Sequence, residues 1–160
     1  MFSTTLFHQQ VAGAAWQLEE ESQSGGVAHA RVDNEDDESL QVHRAGDRVV
    51  LEFTANVPQG LIRSSCPTFQ IDNRSPQHFF TSGADCQVDG ATARYDVSVL
   101  VNDRTVSLVL YRLINGSRVY FRYLTPDGSY HQSVFSLSQS KQALLGALGG
   151  TVEVDPGVAE

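Results

Sequence analysis

The residues able to do chemistry in this 160-residue chain are five histidines, two cysteines and an excess of carboxylates. Nucleophilic catalysis needs a serine or cysteine whose proton a neighbouring base can take. His8, His29, His43, His78 and His131 are scattered, and no G-x-S-x-G elbow or Cys-His signature accompanies them. His78 has the richest surroundings, because the stretch 72–86 also brings Asp72, Arg74 and Asp85. The plainer interpretation is a solvent-exposed loop histidine. Paired carboxylates of the glycosidase kind depend on a separation of roughly 5 to 10 Å that only a fold can set. The crowded carboxylates at 33–38 lack the burial that makes a general acid. No P-loop, dinucleotide fingerprint or metal-binding helix occurs, so the chain reads as a non-enzyme without a cofactor.

Metal chemistry finds no better support. Asp33-Asn34-Glu35-Asp36-Asp37-Glu38 places oxygens at alternate positions, as a calcium loop does. However, Glu38 stands where an EF-hand needs glycine, and Arg44 where it needs its bidentate glutamate. Two cysteines with no ligand spacing to a histidine do not make a zinc site. Cys66 and Cys86, in turn-like surroundings, fit a disulfide between neighbouring strands, contributing about 3 kcal/mol by loop closure. The alternative is two free buried thiols. A bridge implies periplasm, cell surface or exterior; without one, and with no leader upstream, the chain is cytoplasmic.

The formal charge of −8 is concentrated. Glu19, Glu20, Glu21, Asp33, Glu35, Asp36, Asp37 and Glu38 against Arg31 leave −7 on residues 19–38 and −1 on all the rest. Clustered Lys and Arg, which nucleic-acid binding requires, are missing. The acidic stretch reads as a solvated loop or strand edge, or as a docking site for a basic partner. Aromatics and arginines gather instead at Tyr111, Arg112, Arg118, Tyr120, Arg122 and Tyr130, the mixture enriched where proteins meet proteins. One face of that region is expected to be core and the other ordinary surface or a contact patch.

These side chains must be positioned by strands. The segments 15–20 and 27–33 flank Ser22-Gln23-Ser24-Gly25-Gly26 as two outer strands of a hairpin. Val49, Leu51 and Phe53 alternate with Arg48, Glu52 and Thr54, the period of two of a half-buried strand. Residues 68–72 form another short strand, and Tyr95, Val97, Val99 and Val101 mark the next. Asn102-Asp103 then turns the chain, and Val106, Leu108 and Leu110 continue as its partner strand. Asn115-Gly116 predicts a type I′ hairpin turn. Thr125-Pro126-Asp127-Gly128 joins strands 118–124 and 130–135. The period changes at Ser136-Leu137-Ser138-Gln139, a capping box before a helix that Gly149 ends.

Several of these residues resemble a known family. Val57-Pro58-Gln59-Gly60-Leu61, then Phe69-Gln70-Ile71-Asp72 with Pro76, a cysteine at 86, and Phe135-Ser136-Leu137-Ser138-Gln139 before a short helix are similar to the invasion-associated locus B family of secreted bacterial proteins. The resemblance covers residues 48–148. It implies a periplasmic or surface β protein linked to host-cell invasion or envelope function, without an established enzyme activity. The family carries further cysteines after its N-terminal tryptophan, whereas here none lies between Trp16 and Cys66.

The expected fold is mainly β: an antiparallel β-sandwich or partly closed barrel with one short C-terminal α-helix. Residues 1–13 are expected as a tail or edge element, 14–149 as a single β domain, and 150–160 as a flexible tail. No transmembrane segment is expected, since no apolar run approaches the roughly 20 residues that a span needs. Residues 1–16 show neither a basic n-region nor an apolar h-region, so export requires that a leader has been removed. The expected function is a non-catalytic envelope or extracellular interaction protein with a protein partner, accessory to host-cell contact. Two rivals are a small hydrolase or ligand carrier using His78 and Asp72 in a pocket, and a cytosolic acidic immunity or adaptor protein.

Overall fold

The computed structural model describes residues 14–20, 27–76, 85–102, 104–149 and 152–157. Two sheets contain its strands. The larger is an eight-stranded, curled half-barrel made of β1 (Gln17–Glu19), β2 (His29–Asp33), β3 (Ser39–Ala45), β4 (Arg48–Thr54), β6 (Cys86–Asp89), β7 (Thr92–Val101), β8 (Arg104–Val106) and β11 (Glu153–Asp155). The smaller holds β5 (Thr68–Ile71), β9 (Arg118–Leu124) and β10 (Tyr130–Ser136), in the order β10-β9-β5. Helix α1 (Leu108–Asn115) separates β8 from β9, and α2 (Ser140–Leu148) follows β10.

Alternation decides which face each strand buries. Val49, Leu51 and Phe53 of β4, and Leu40 and Val42 of β3, are fully buried on one side of the large sheet. Val119 and Phe121 of β9, with Phe69 of β5 and Phe135 of β10, answer them from the small sheet. The two sheets meet through rings. Phe53 stacks on Phe121 at 4.4 Å between centroids, and Phe69 meets Tyr95 edge-on at 5.3 Å. Each such pair adds about 0.5–1.5 kcal/mol beyond the area it buries. The Tyr95 hydroxyl, drawn into this core, donates to the Pro67 carbonyl at 2.6 Å, so no buried donor is left over there. Cys66 and Cys86 are bridged, tying the loop before β5 to β6.

Four expectations about elements are corrected. The partner strand expected through Val106, Leu108 and Leu110 stops at Val106, and α1 begins. Ser107 is the switch: its Oγ accepts the Leu110 amide at 3.0 Å and donates to the Val97 carbonyl at 2.7 Å. Leu110 and Leu113, three apart, then go into the core as only a helix allows. The described residues therefore contain two helices rather than one.

Asn115-Gly116 makes no hairpin turn. Asn115 is the last residue of α1, and Gly116 is extended at φ −87°, ψ 178°. Glycine is needed there for room, since a Cβ would lie 2.7 Å from the Arg112 carbonyl and 2.9 Å from Ile71 and Leu137 side-chain atoms. The capping box at 136–139 also fails. The residue before α2 is Gln139, in the left-handed region without a side-chain cap, while Ser136 Oγ accepts the Ser138 amide and Ser140 Oγ donates to the Leu113 carbonyl of α1. Finally, the stretch expected as a flexible tail contributes β11, paired in parallel with β8.

Candidate interaction surface

β9 places the aromatic and arginine-rich segment. Its inward residues, Val119, Phe121 and Tyr123, are core, so Arg118, Tyr120, Arg122 and Leu124 stand on the opposite side. The β9–β10 turn is set by Gly128, whose φ of 84° suits glycine. Its amide donates to the Thr125 carbonyl at 2.8 Å, and the Asp127 carboxylate accepts from the Ser129 amide at 3.0 Å. The Thr125 hydroxyl also donates to that carboxylate, and it, followed by the Ser129 amide, holds the Asp127 carboxyl below the usual carboxylate range. Register then sets Tyr130 beside Leu124, Gln132 beside Arg122 and Val134 beside Tyr120.

The outer face so formed has an ordered centre. Arg122 Nε donates to Gln132 Oε1 at 3.0 Å and Nη1 to Gln70 Oε1 at 2.8 Å, while its guanidinium carbon lies 5.6 Å from the Tyr120 ring centroid. One cation thus binds all three strands of the small sheet and keeps its planar fork oriented outward from the core. Around it, Tyr130 is 63% exposed, Leu124 51% and Val134 37%, far more than such side chains need to show.

The six residues singled out by sequence do not form one cluster. Arg118, Tyr120, Arg122 and Tyr130 share the outer face, and Tyr111 and Arg112 stand apart from it. Tyr111 and Arg112 sit on α1 beside a small recess with Ile71, Asp72 and Arg74. Arg118 lines an open groove of about 330 Å³ along β10, whose far wall is Asp33, Asn34, Glu35 and Asp36.

That acidic wall is rigid for a reason the sequence hid. Asn34 Oδ1 accepts the amides of Asp36 and Glu38 at 3.1 and 3.0 Å, closing the β2–β3 turn. Its Nδ2 donates to Glu38 Oε1 at 3.0 Å and to the Val134 carbonyl on β10 at 3.3 Å. Glu38, expected among solvated carboxylates, is only 5% exposed. Ser133 Oγ donates to its Oε2 at 2.6 Å and the Tyr123 hydroxyl at 3.1 Å. Burial, with the Glu38 charge added, pushes the Tyr123 hydroxyl up to about 12. His131 stacks on the same ring at 5.3 Å. Ser133, at an inward position of β10 between His131 and Phe135, was the available signal, because a buried serine there needs a partner.

The rival catalytic group is committed elsewhere. The Asp72 carboxylate accepts the Ser117 and Arg118 amides, each at 3.0 Å, and so holds the start of β9. His78 lies outside the described residues. Among the described residues, no group of three or more His, Cys, Asp or Glu side chains is placed to hold a metal ion. No helix among them is long and apolar enough to cross a membrane.

No family model and no curated protein matches the chain. Among solved structures it is similar to the crystal structure of invasion associated protein B from Bartonella henselae, with a TM-score of 0.56 at 16% sequence identity. The match covers 85% of this chain and 93% of that one. At that identity the likeness is one of fold.

Proposed function

We propose that this chain is a non-catalytic, exported bacterial interaction protein, acting in the envelope or outside the cell, whose contact surface is the outer face of the β10-β9-β5 sheet. The observation that carries this is the pre-ordered Arg122, fixed between Gln70 and Gln132 and ringed by exposed Tyr130, Leu124 and Val134. An oriented guanidinium among apolar side chains loses little freedom on binding, which is the composition and stiffness of a binding hot spot. Export is supported by the Cys66–Cys86 bridge, which an oxidising compartment maintains. The fold shared with an invasion associated protein supports a role in contact with a host, at the level of fold alone.

The test is site-specific photocrosslinking in the native cells. A photoreactive residue at position 124 or 130 is expected to capture a protein partner, and Arg122→Ala to remove that product. A probe at position 41, on the far face of the large sheet, is expected to capture none. Equal capture from position 41, or none from 124 and 130, would count against this surface.

A further inference from the structure

Most arginines of the large sheet are neutralised within the fold, Arg44 at the β3–β4 turn excepted, where Nε donates to the Gly46 carbonyl. Arg31, Arg48, Arg94 and Arg104 on the large sheet are each ion-paired, with Asp33, Asp96, Glu52 and Asp155. Arg118 and Arg122 on the outer face of the small sheet, and Arg74 just beyond β5, make no ion pair among the described residues. The same holds for Glu35 and Asp36 on the wall across the groove. One face therefore carries unpaired cations on its β9–β5 side, unpaired anions on its β10 side, and exposed apolar side chains between.

Register adds the second half of the geometry. The wall stands beside Gln132, Val134 and Ser136. These residues are opposite Arg122, Tyr120 and Arg118 on β9, so the anions and cations lie at the same height along the strands. Neighbouring strands are about 4.8 Å apart, which separates the two charge columns by more than a strand's width.

We propose that this face pairs with a second copy of the same chain. The symmetry is a two-fold axis lying in the plane of contact and running parallel to the strands along β10, midway between the acidic wall and β9. That operation exchanges left and right while keeping height, so each copy's acidic wall covers the other's Arg118 and Arg122. Leu124, Tyr130 and Val134 are covered between the two sheets. An axis across the strands would set acid against acid, so charge selects the first arrangement. The face is about 23 Å long by roughly 15 Å wide. Such a footprint, roughly 350 Å² per copy, falls below the roughly 1,200 Å² in total at which stable specific interfaces begin, so the dimer is a weak, transient one.

The inference rests on reading this face as the contact surface, and it is tested separately by sedimentation equilibrium of the purified chain at low salt. Wild type is expected to self-associate with rising concentration, and to do so less as salt screens the charges. The double variants R118E/R122E and E35K/D36K are each expected to weaken association at least about tenfold. Mixed in equal amounts, they should recover affinity to within about threefold of wild type, because the reversed columns again oppose each other. Thermal melts of each variant establish folding, and E35K/D36K alters only turn side chains on the solvent side. A wild type that stays monomeric, association indifferent to both reversals, or a mixture no better than its parts would each overturn the self-pairing. Monomer together with crosslinks from 124 and 130 to another protein would overturn it and leave the proposed function standing. Absence of both would remove the contact surface itself.

Discussion

Glu38 stands among eight acidic side chains in the region 19–38, and its environment is unlike that expected from that company. Three donors, from Asn34, Tyr123 and Ser133, converge on its carboxylate. Removing the carboxylate leaves buried hydroxyls without an acceptor, at about 1–3 kcal/mol each. Glu38→Ala is therefore expected to destabilise the fold by about 2–4 kcal/mol in urea titrations. Amides of the 34–38 turn should lose exchange protection first. A change below about 0.5 kcal/mol would mean that the network does not hold the turn. His43 provides a pH dependence. Burial lowers its pKa below 6.5; Glu52 opposes this, while Arg94 and His29, its cross-strand neighbour, reinforce it. A lowered folded-state pKa means that the unfolded chain binds the proton more tightly. Stability is then full above pH 6.5 and is lost as pH falls through the folded value. The urea midpoint should fall on acidification from pH 7.5 toward 5, and His43→Gln should flatten that decline. Legibility at this scale was split. The two faces of β9 followed from alternation, whereas Glu38 required knowing that the β2–β3 turn lands on β10, a contact 95 residues away in sequence.

At the scale of elements, strands were legible where polar and apolar residues alternated cleanly, as in β4, or where turn signals bounded them, as in β9 and β10. In β7 the expected face holds only to Tyr95, because a bulge at Val97 turns Ser98 inward and leaves Val99 and Val101 exposed. Helix α1 was not, because Val106, Leu108 and Leu110 satisfy a period of two as well as they begin a helix. Ser107 as N-cap, with Leu113 three residues after Leu110, carried the deciding information. The hairpin signal at Asn115-Gly116 misled for a related reason. Glycine is chosen there for the space beside Arg112, Ile71 and Leu137, rather than for positive φ. Gly116→Ala is consequently expected to cost about 1–3 kcal/mol by overpacking, although alanine suits the backbone angles. A chemical melt would measure it; an unchanged midpoint would mean that α1 and the start of β9 shift apart freely. The bound-out Asp72 belongs to the same junction, since its carboxylate fixes the first amides of β9 as the chain leaves α1.

For the whole molecule, the bridge between Cys66 and Cys86 spans 20 positions. Closing a loop of that length removes about 3 kcal/mol of unfolded-chain freedom. Cys66→Ala with Cys86→Ala should lower stability by about that amount, and wild type in reductant should melt with the double variant. Equal melting with and without reductant would remove the case for an oxidising compartment. The two-sheet plan was legible because it is the sum of local alternations. The β8–β11 pairing was not, since parallel neighbours leave no turn between them for the sequence to announce.

That last strand has a practical bearing on how the chain is handled. β11 lies on the outer margin of the large sheet, and the amide of Ser107, the residue that starts α1, donates to Asp155 in the same strand. Clipping the chain after α2 would leave β8 with a bare backbone flank, ready to zip onto any extended polypeptide nearby. Protease-trimmed preparations should thus precipitate where intact ones remain clear. Affinity handles belong beyond residue 157, with a spacer, so that nothing bulky is wedged against that seam.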